Sequence, residues 1–284
     1  MSKLKMNLFG TAFQHTVGST HNQTPSYIQW EYNTLNNPET FYVDYAIIQG
    51  CNDTHSKVKY GWMLESRFVT TGLLEWCLEN HPTLKGLYRH IFTYHKDLIE
   101  IDSDLFKFCP AMGSWIKDPV ITNKTKRVSM ICSKKTMTAG HIVRLAYAEK
   151  FKDELDLYGR GFNEIKDKEE GLQDYMFSVA IENGICCSYF TEKILDCFAI
   201  GVIPIYLGAP DIGDYFNTDG IIQLTEEFDP SCLSRKLYQS KIEAVRDNFK
   251  KMQKYKTPED WLFKKYFEGG LCRVKLWPNE DRQR

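Results

Sequence analysis

The stretch from 175 to 210, YMFSVAIENGICCSYFTEKILDCFAIGVIPIYLGAP, constrains the fold of this chain more than any other. It opens with an apolar run, 177–181, rich enough in branched and aromatic residues for a buried strand. A polar loop with two adjacent cysteines follows, and Thr191-Glu192-Lys193 then stands directly before the apolar segment 194–200. Thr191 suits an N-cap, Glu192 suits the positive end of a helix, and Gly201 suits its stop. A second buried-strand run, 202–207, closes on Gly208. Strand, loop, helix, glycine and strand make a βαβ unit, which requires parallel strands and a right-handed connection.

A helix N-terminus offers unpaired N–H groups and attracts anions. Lys193 in its first turn runs against the helix dipole, which favours cations at the other end. An anion held between lysine and helix end reconciles the two, and a nucleotide diphosphate is the natural candidate. The plainer alternative is a solvated surface lysine.

The spacing of Glu182-Asn183, Tyr189, Thr191-Glu192-Lys193, Gly201, Pro204 and Gly208 resembles the donor-binding signature of glycosyltransferase family 10, the α1,3/α1,4-fucosyltransferases. The resemblance implies an α/β fold of the GT-B kind, two Rossmann-like domains facing a central cleft. It also implies inverting transfer of a sugar, fucose by family default, from a GDP-linked donor to a glycan hydroxyl, with no metal or other cofactor. YGWMLESRFV, 60–69, is similar to the family's N-terminal Glu-Ser segment, so Glu65 inherits the role of general base. GHIVRLAYAEKF, 140–151, has helical spacing, and Arg144 matches the family's phosphate-binding arginine. By the same resemblance Lys193 and Arg144 stabilise the departing diphosphate and Glu192 holds the ribose hydroxyls. Asn183 and Tyr189 orient the donor, and Ser133, at the tip of a strand over 127–132, joins the donor-binding set.

The rest of the chain divides around a prolyl, polar linker at 119–125. The expected units are an acceptor-side domain over 1–120, a donor-binding domain over 126–240 and a helical tail over 241–284. The first strand, 5–9, runs into a Gly/His/Ser/Thr loop at a sheet's carboxyl edge, where open α/β sheets place ligands. His15 and Ser19 are therefore acceptor-side candidates. Further expectations are a short helix at 27–32, a strand at 41–48, a helix at 73–80 stopped by Pro82, a strand at 90–94 and a charged, solvated connection at 163–172.

Asp102-Ser103-Asp104 is formally a D-x-D, a pattern that can hold a divalent cation on a diphosphate. Two cations already matched to phosphate positions make a metal redundant. The tail NFKKMQKYKTPEDWLFKKYFEGG alternates lysines with aromatics, the pattern of a helix packing its rings on the body. Contact of those lysines with a membrane surface or with nucleic acid is the less favoured use. A formal net charge of −1 gives no global pull toward a polyanion. Nine cysteines lack the C-x₂-C pairs of a zinc site and read as free thiols of a reducing cytosol. With no run of about 18 apolar residues and no signal-like start, the resemblance is to the compact bacterial or viral type, acting in the cytoplasm. Two other functions fit the same fold: glycosylation of a modified nucleic-acid base with another donor, and non-catalytic binding of a nucleotide sugar.

Overall fold

The computed structural model describes residues 3–10, 13, 16–34 and 38–269. Two parallel sheets form its frame. The first holds β1 (Leu4–Phe9), β2 (Ile28–Tyr32), β3 (Glu39–Val43), β4 (Val58–Trp62), β5 (His90–Thr93) and β6 (Phe106–Phe108), in the order β2-β1-β3-β4-β5-β6. The second holds β7 (Lys126–Ile131), β8 (Asp156–Tyr158), β9 (Tyr175–Ile181), β10 (Ile203–Leu207) and β11 (Ile222–Gln223), in the order β11-β10-β9-β7-β8.

Parallel strands need crossovers, and short helices supply them. The first unit contains α1 (Ala46–Gly50), α2 (Leu73–Glu79), α3 (His81–Leu87) and α4 (Lys96–Ile101). The second contains α5 (Ala139–Lys150), α6 (Glu192–Ile200), α7 (Arg235–Ser240) and α8 (Ile242–Met252), and α9 (Pro258–Leu262) follows. Side chains alternate across each sheet, so neighbouring residues enter different cores. Phe41, Tyr60, Trp62 and Phe92 pack on one face of the first sheet, whereas Tyr42 and Ile91 meet Ile47, Leu74 and Leu84 on the other. β9 is buried along its whole length, as a central strand covered on both faces must be.

Segment 27–32, expected as a helix, is β2. Ile28 and Trp30 turn inward while Gln29 is exposed, a period of two that pairs in parallel with β1. The strand expected at 41–48 ends at Val43, because Asp44 takes a left-handed φ of 51° and the chain enters α1. Pro82 does not stop a helix but opens α3, at a position where its missing N–H costs nothing. Thr191 caps α6 as expected, its side chain accepting from Lys193 N, and Gly201 ends the helix at a φ of 76°.

The C-terminal segment belongs to both units. α8 lies against α6, with Met252 in the core beneath that helix, whereas α9 and the turn Phe263–Phe267 cross back onto the first sheet. Leu262 and Phe267 are buried there, and Lys264 and Lys265 are exposed. The rings therefore pack inward and the lysines stay solvated.

The clasp that holds this return is Glu259, fully buried in α9. Its carboxylate accepts from Ser19 N (2.6 Å), Ser19 Oγ (2.8 Å) and Trp30 Nε1 (3.2 Å). Among the described residues no lysine or arginine pairs with it, and burial pushes its carboxyl above the ordinary value of 4.5. The folded chain therefore binds this proton more tightly than the unfolded chain. Its contribution is fully present below 4.5 and is lost as pH rises through the raised folded value. Glu259→Gln is expected to keep the three contacts and to flatten that part of the stability–pH curve. Thermal melts of both proteins between pH 4 and 8 check it.

Candidate functional site

The two units meet along a seam into which the ends of β5 and β9 feed. Tyr94 and Tyr189 lie ring to ring at 4.9 Å, Phe108 stacks on Tyr215 at 5.7 Å, and Lys96 pairs with Asp211 at 2.6 Å. Beside this seam, on the second unit, is a cavity of about 230 Å³. Ser133, Arg144, Glu192 and Lys193 line it together with Trp115, Arg160, Lys168 and Asp196.

The cavity is shaped by how β9 hands over to α6. Glu182, one residue past the strand, is 1% exposed and accepts from Thr191 N (2.8 Å) and Thr191 Oγ1 (2.7 Å). It thus fixes the cap residue of α6 from outside the helix. Lys193 Nζ lies 3.1 Å from Thr191 Oγ1, 3.2 Å from Glu192 Oε1 and 3.4 Å from Glu182 Oε2. Burial opposes its charge, but Glu192 and Glu182 more than offset this and raise the ammonium above its ordinary value. Burial likewise opposes ionised Glu192, and Lys193 and Lys168 hold it down to about 2. Lysine and carboxylate are therefore both charged at neutral pH.

Arg144 arrives from α5, whose first turn crosses β9 closely. A Cβ on Gly140 would stand 2.2 Å from the Glu182 carbonyl, so only glycine fits. One turn on, Arg144 donates from Nε to Gly140 O (3.2 Å) and from Nη2 to Asn183 Oδ1 (2.7 Å). Burial lowers its pKa and Glu182 and Glu192 work against that. Asn183 therefore orients Arg144. Tyr189 stands elsewhere than the expected donor contact: it is 2% exposed in the seam, packed with Tyr94 and Ala111, and does not line the cavity.

Glu65 approaches from the first unit. Its backbone is pinned by Asp44 Oδ1, which accepts from Leu64 N (2.9 Å) and Glu65 N (3.3 Å), and by Tyr94 Oη, which donates to Glu65 O (2.8 Å). The side chain lines a second cavity of about 420 Å³, with Phe13, Ser19, Asp44, Tyr45, Thr70 and Met112. Burial pushes its carboxyl up, and the field of Lys193, reaching it from the other unit, pulls it down. Asp44 itself is raised to about 7 by burial. Ser19 lines this cavity too, but both its amide and its hydroxyl are spent on Glu259. That arrangement follows from the demand of a buried carboxylate for donors. His15 lies outside the described residues.

The D-x-D is accounted for by packing. Asp102 takes Lys85 Nζ at 2.6 Å, His81 Nε2 at 3.1 Å and the amides of Asp104 and Leu105, closing the turn after α4. Among the described residues no group of three or more histidines, cysteines or carboxylates could hold a metal ion. No helix among them is long and apolar enough to cross a membrane.

A family model described as glycosyltransferase family 10 (fucosyltransferase), C-terminal part, matches residues 121–274, more than half of the chain. The chain belongs to glycosyltransferase family 10. It is similar to the α-(1,3)-fucosyltransferase FucT of Helicobacter pylori, 38% identical over 64 residues, 22% of this chain and 13% of that protein. It resembles α-(1,3)-fucosyltransferase B of Drosophila melanogaster, 50% identical over 44 residues, 16% of this chain and 10% of that one. The GDP-fucose protein O-fucosyltransferase 3 of Bos taurus is 39% identical over 57 residues, 20% of this chain and 12% of its own length. These alignments span only about an eighth of the relatives' length. A crystal structure of an α1,3-fucosyltransferase superposes with a TM-score of 0.50 at 12% identity, covering 96% of this chain and 92% of that one. That likeness makes the family 10 fold here GT-B, two parallel-sheet units across a cleft, neither closed into a barrel.

Lys168 and Asp196, like Trp115 and Arg160, are cavity residues that the sequence did not single out. Lys168 lies in the stretch read as a solvated connection, yet it is drawn under Trp115 and onto Asp196. The single signal was an aspartate on the apolar side of the α6 pattern, since Asp196 has to find a partner once buried.

Proposed function

We propose that this family 10 chain is an inverting fucosyltransferase-like enzyme that moves a sugar from a GDP-linked donor to a glycan hydroxyl without a metal. The observation that carries the reading is the convergence of two cations, buried Arg144 and half-buried Lys193, on one cavity at the N-terminus of α6, with Glu65 on the other unit close enough to feel the field of Lys193.

In this reading the diphosphate occupies that cavity. Lys193, Arg144 and the first amides of α6 stabilise charge as it builds on the leaving group, where preorganised donors act most strongly. Glu192 keeps Lys193 charged and offers its carboxylate to the ribose. Asn183 holds the guanidinium, and Ser133 faces the nucleotide from the tip of β7. Glu65 takes the proton of the acceptor hydroxyl as that oxygen attacks the anomeric carbon. A single displacement inverts the centre. Two fixed cations provide the neutralisation that a metal supplies in other diphosphate sites.

The donor is tested by a melting-temperature panel of GDP, UDP, ADP and their sugars, repeated in EDTA. GDP and GDP-fucose are expected to stabilise the chain, by about 2.7 kcal/mol at a hundredfold excess over Kd, with or without chelator. Stabilisation by UDP-sugars alone, or only with a divalent ion, would redirect the assignment.

A further inference from the structure

The walls of the donor cavity carry more charge than the two cations expected there. Lys168 Nζ lies 2.8 Å from Asp196 Oδ2 and 3.7 Å from Glu192 Oε1, and it stands 4.0 Å from the centre of the Trp115 ring. Asp196 is 1% exposed, and its other oxygen accepts from Ser114 Oγ (2.8 Å) and Trp115 N (2.7 Å). Glu192 and Asp196 thus face Arg144, Arg160, Lys168 and Lys193 around one space, and Glu182 stands behind Lys193 as its buried partner. With Lys168 the set carries one net positive charge. Without it the set is neutral, and Asp196 is a buried carboxylate with no cation beside it.

We propose that Lys168 is a charge-balancing residue of the donor cavity: by cancelling Asp196 and Glu192 it leaves the fields of Lys193 and Arg144 free to attract a diphosphate. The role rests on the donor-site reading above and is distinct from it, because Lys168 acts through two carboxylates and not by touching the ligand. Its ammonium is committed to Asp196 and to the indole face, a position that favours a cation. An uncancelled carboxylate in the same low-dielectric space would repel an arriving anion with a strength comparable to one lysine's attraction.

The experiment is a charge cycle: Lys168→Met, Asp196→Asn, the double variant and Lys168→Arg. Each is measured for GDP and inorganic pyrophosphate affinity by calorimetry and for melting temperature without ligand. Methionine preserves the stem that covers Trp115. Lys168→Met is expected to weaken GDP and pyrophosphate by about tenfold and to lower the ligand-free melting temperature by about 5 °C or more. Adding Asp196→Asn is expected to restore both, the affinity to within about threefold of wild type. Lys168→Arg is expected to stay near wild type. A double variant as weak as Lys168→Met would overturn the proposal in favour of direct contact with the ligand, and an unchanged affinity in Lys168→Met would overturn it outright. Failure of the wild type to bind GDP or pyrophosphate would instead overturn the donor-site reading, and the ligand-free melting series would still decide the charge balance.

Discussion

Glu65→Gln is expected to reduce kcat by about 10²–10⁴-fold, the range of a lost general base, while leaving GDP affinity within about twofold of wild type. Glutamine preserves the shape of the side chain and leaves the backbone contacts to Asp44 and Tyr94 in place. What it removes is an acceptor for the hydroxyl proton. The same carboxylate is expected to set the acid limb of the pH profile. Burial raises its pKa above 4.5, and the base works only when deprotonated, so kcat should fall as pH drops through that raised value. In Glu65→Gln this limb should vanish from the residual rate. Steady-state kinetics from pH 5 to 9, with GDP calorimetry on the same preparation, separate the two effects. Equal loss of turnover and GDP affinity would mean that Glu65 supports the fold of the cleft and does not do chemistry.

Lys193→Ala is expected to cost about 10²–10³-fold in kcat, the usual effect of losing one preorganised electrostatic group, and to weaken GDP binding as well. It also strands Glu182 and Glu192, both buried and both paired to this ammonium. Breaking a buried pair in this way costs about 3–5 kcal/mol. Stability therefore has to be followed in parallel. Lys193→Arg keeps the charge and is expected to keep the fold, yet its planar fork cannot sit where the compact ammonium touches Thr191 Oγ1, and turnover should fall with little loss of melting temperature. Normal GDP affinity in a folded Lys193→Ala would end the donor-site reading. Measuring the Arg and Ala variants together separates loss of fold from loss of ligand.

The α6 side of the cavity was legible from the chain because its geometry is local. Thr191, Glu192 and Lys193 share the first turn of α6, and Glu182 reaches back over only nine residues to Thr191. Arg144 is harder. Helical spacing puts it on α5, but only the close crossing at Gly140 aims it at Asn183. The misread elements share a cause. β2 is five residues long, too short for periodicity to separate a strand from a turn of helix, and its identity comes from pairing with β1. Tyr189 matched the motif by spacing, yet its large apolar ring was drawn into the seam against Tyr94.

By itself the sequence determined what is written locally along the chain: the parallel α/β class and the helix α6 with its Thr191 cap and Gly201 stop. Those follow from backbone geometry and from contacts a few residues long. The tertiary structure alone decided which charges cancel. Lys168 lies 28 residues from Asp196, and Ser19 lies 240 residues from Glu259. Such pairs have no spacing rule, because a buried charge takes whichever partner the packing brings within hydrogen-bond reach.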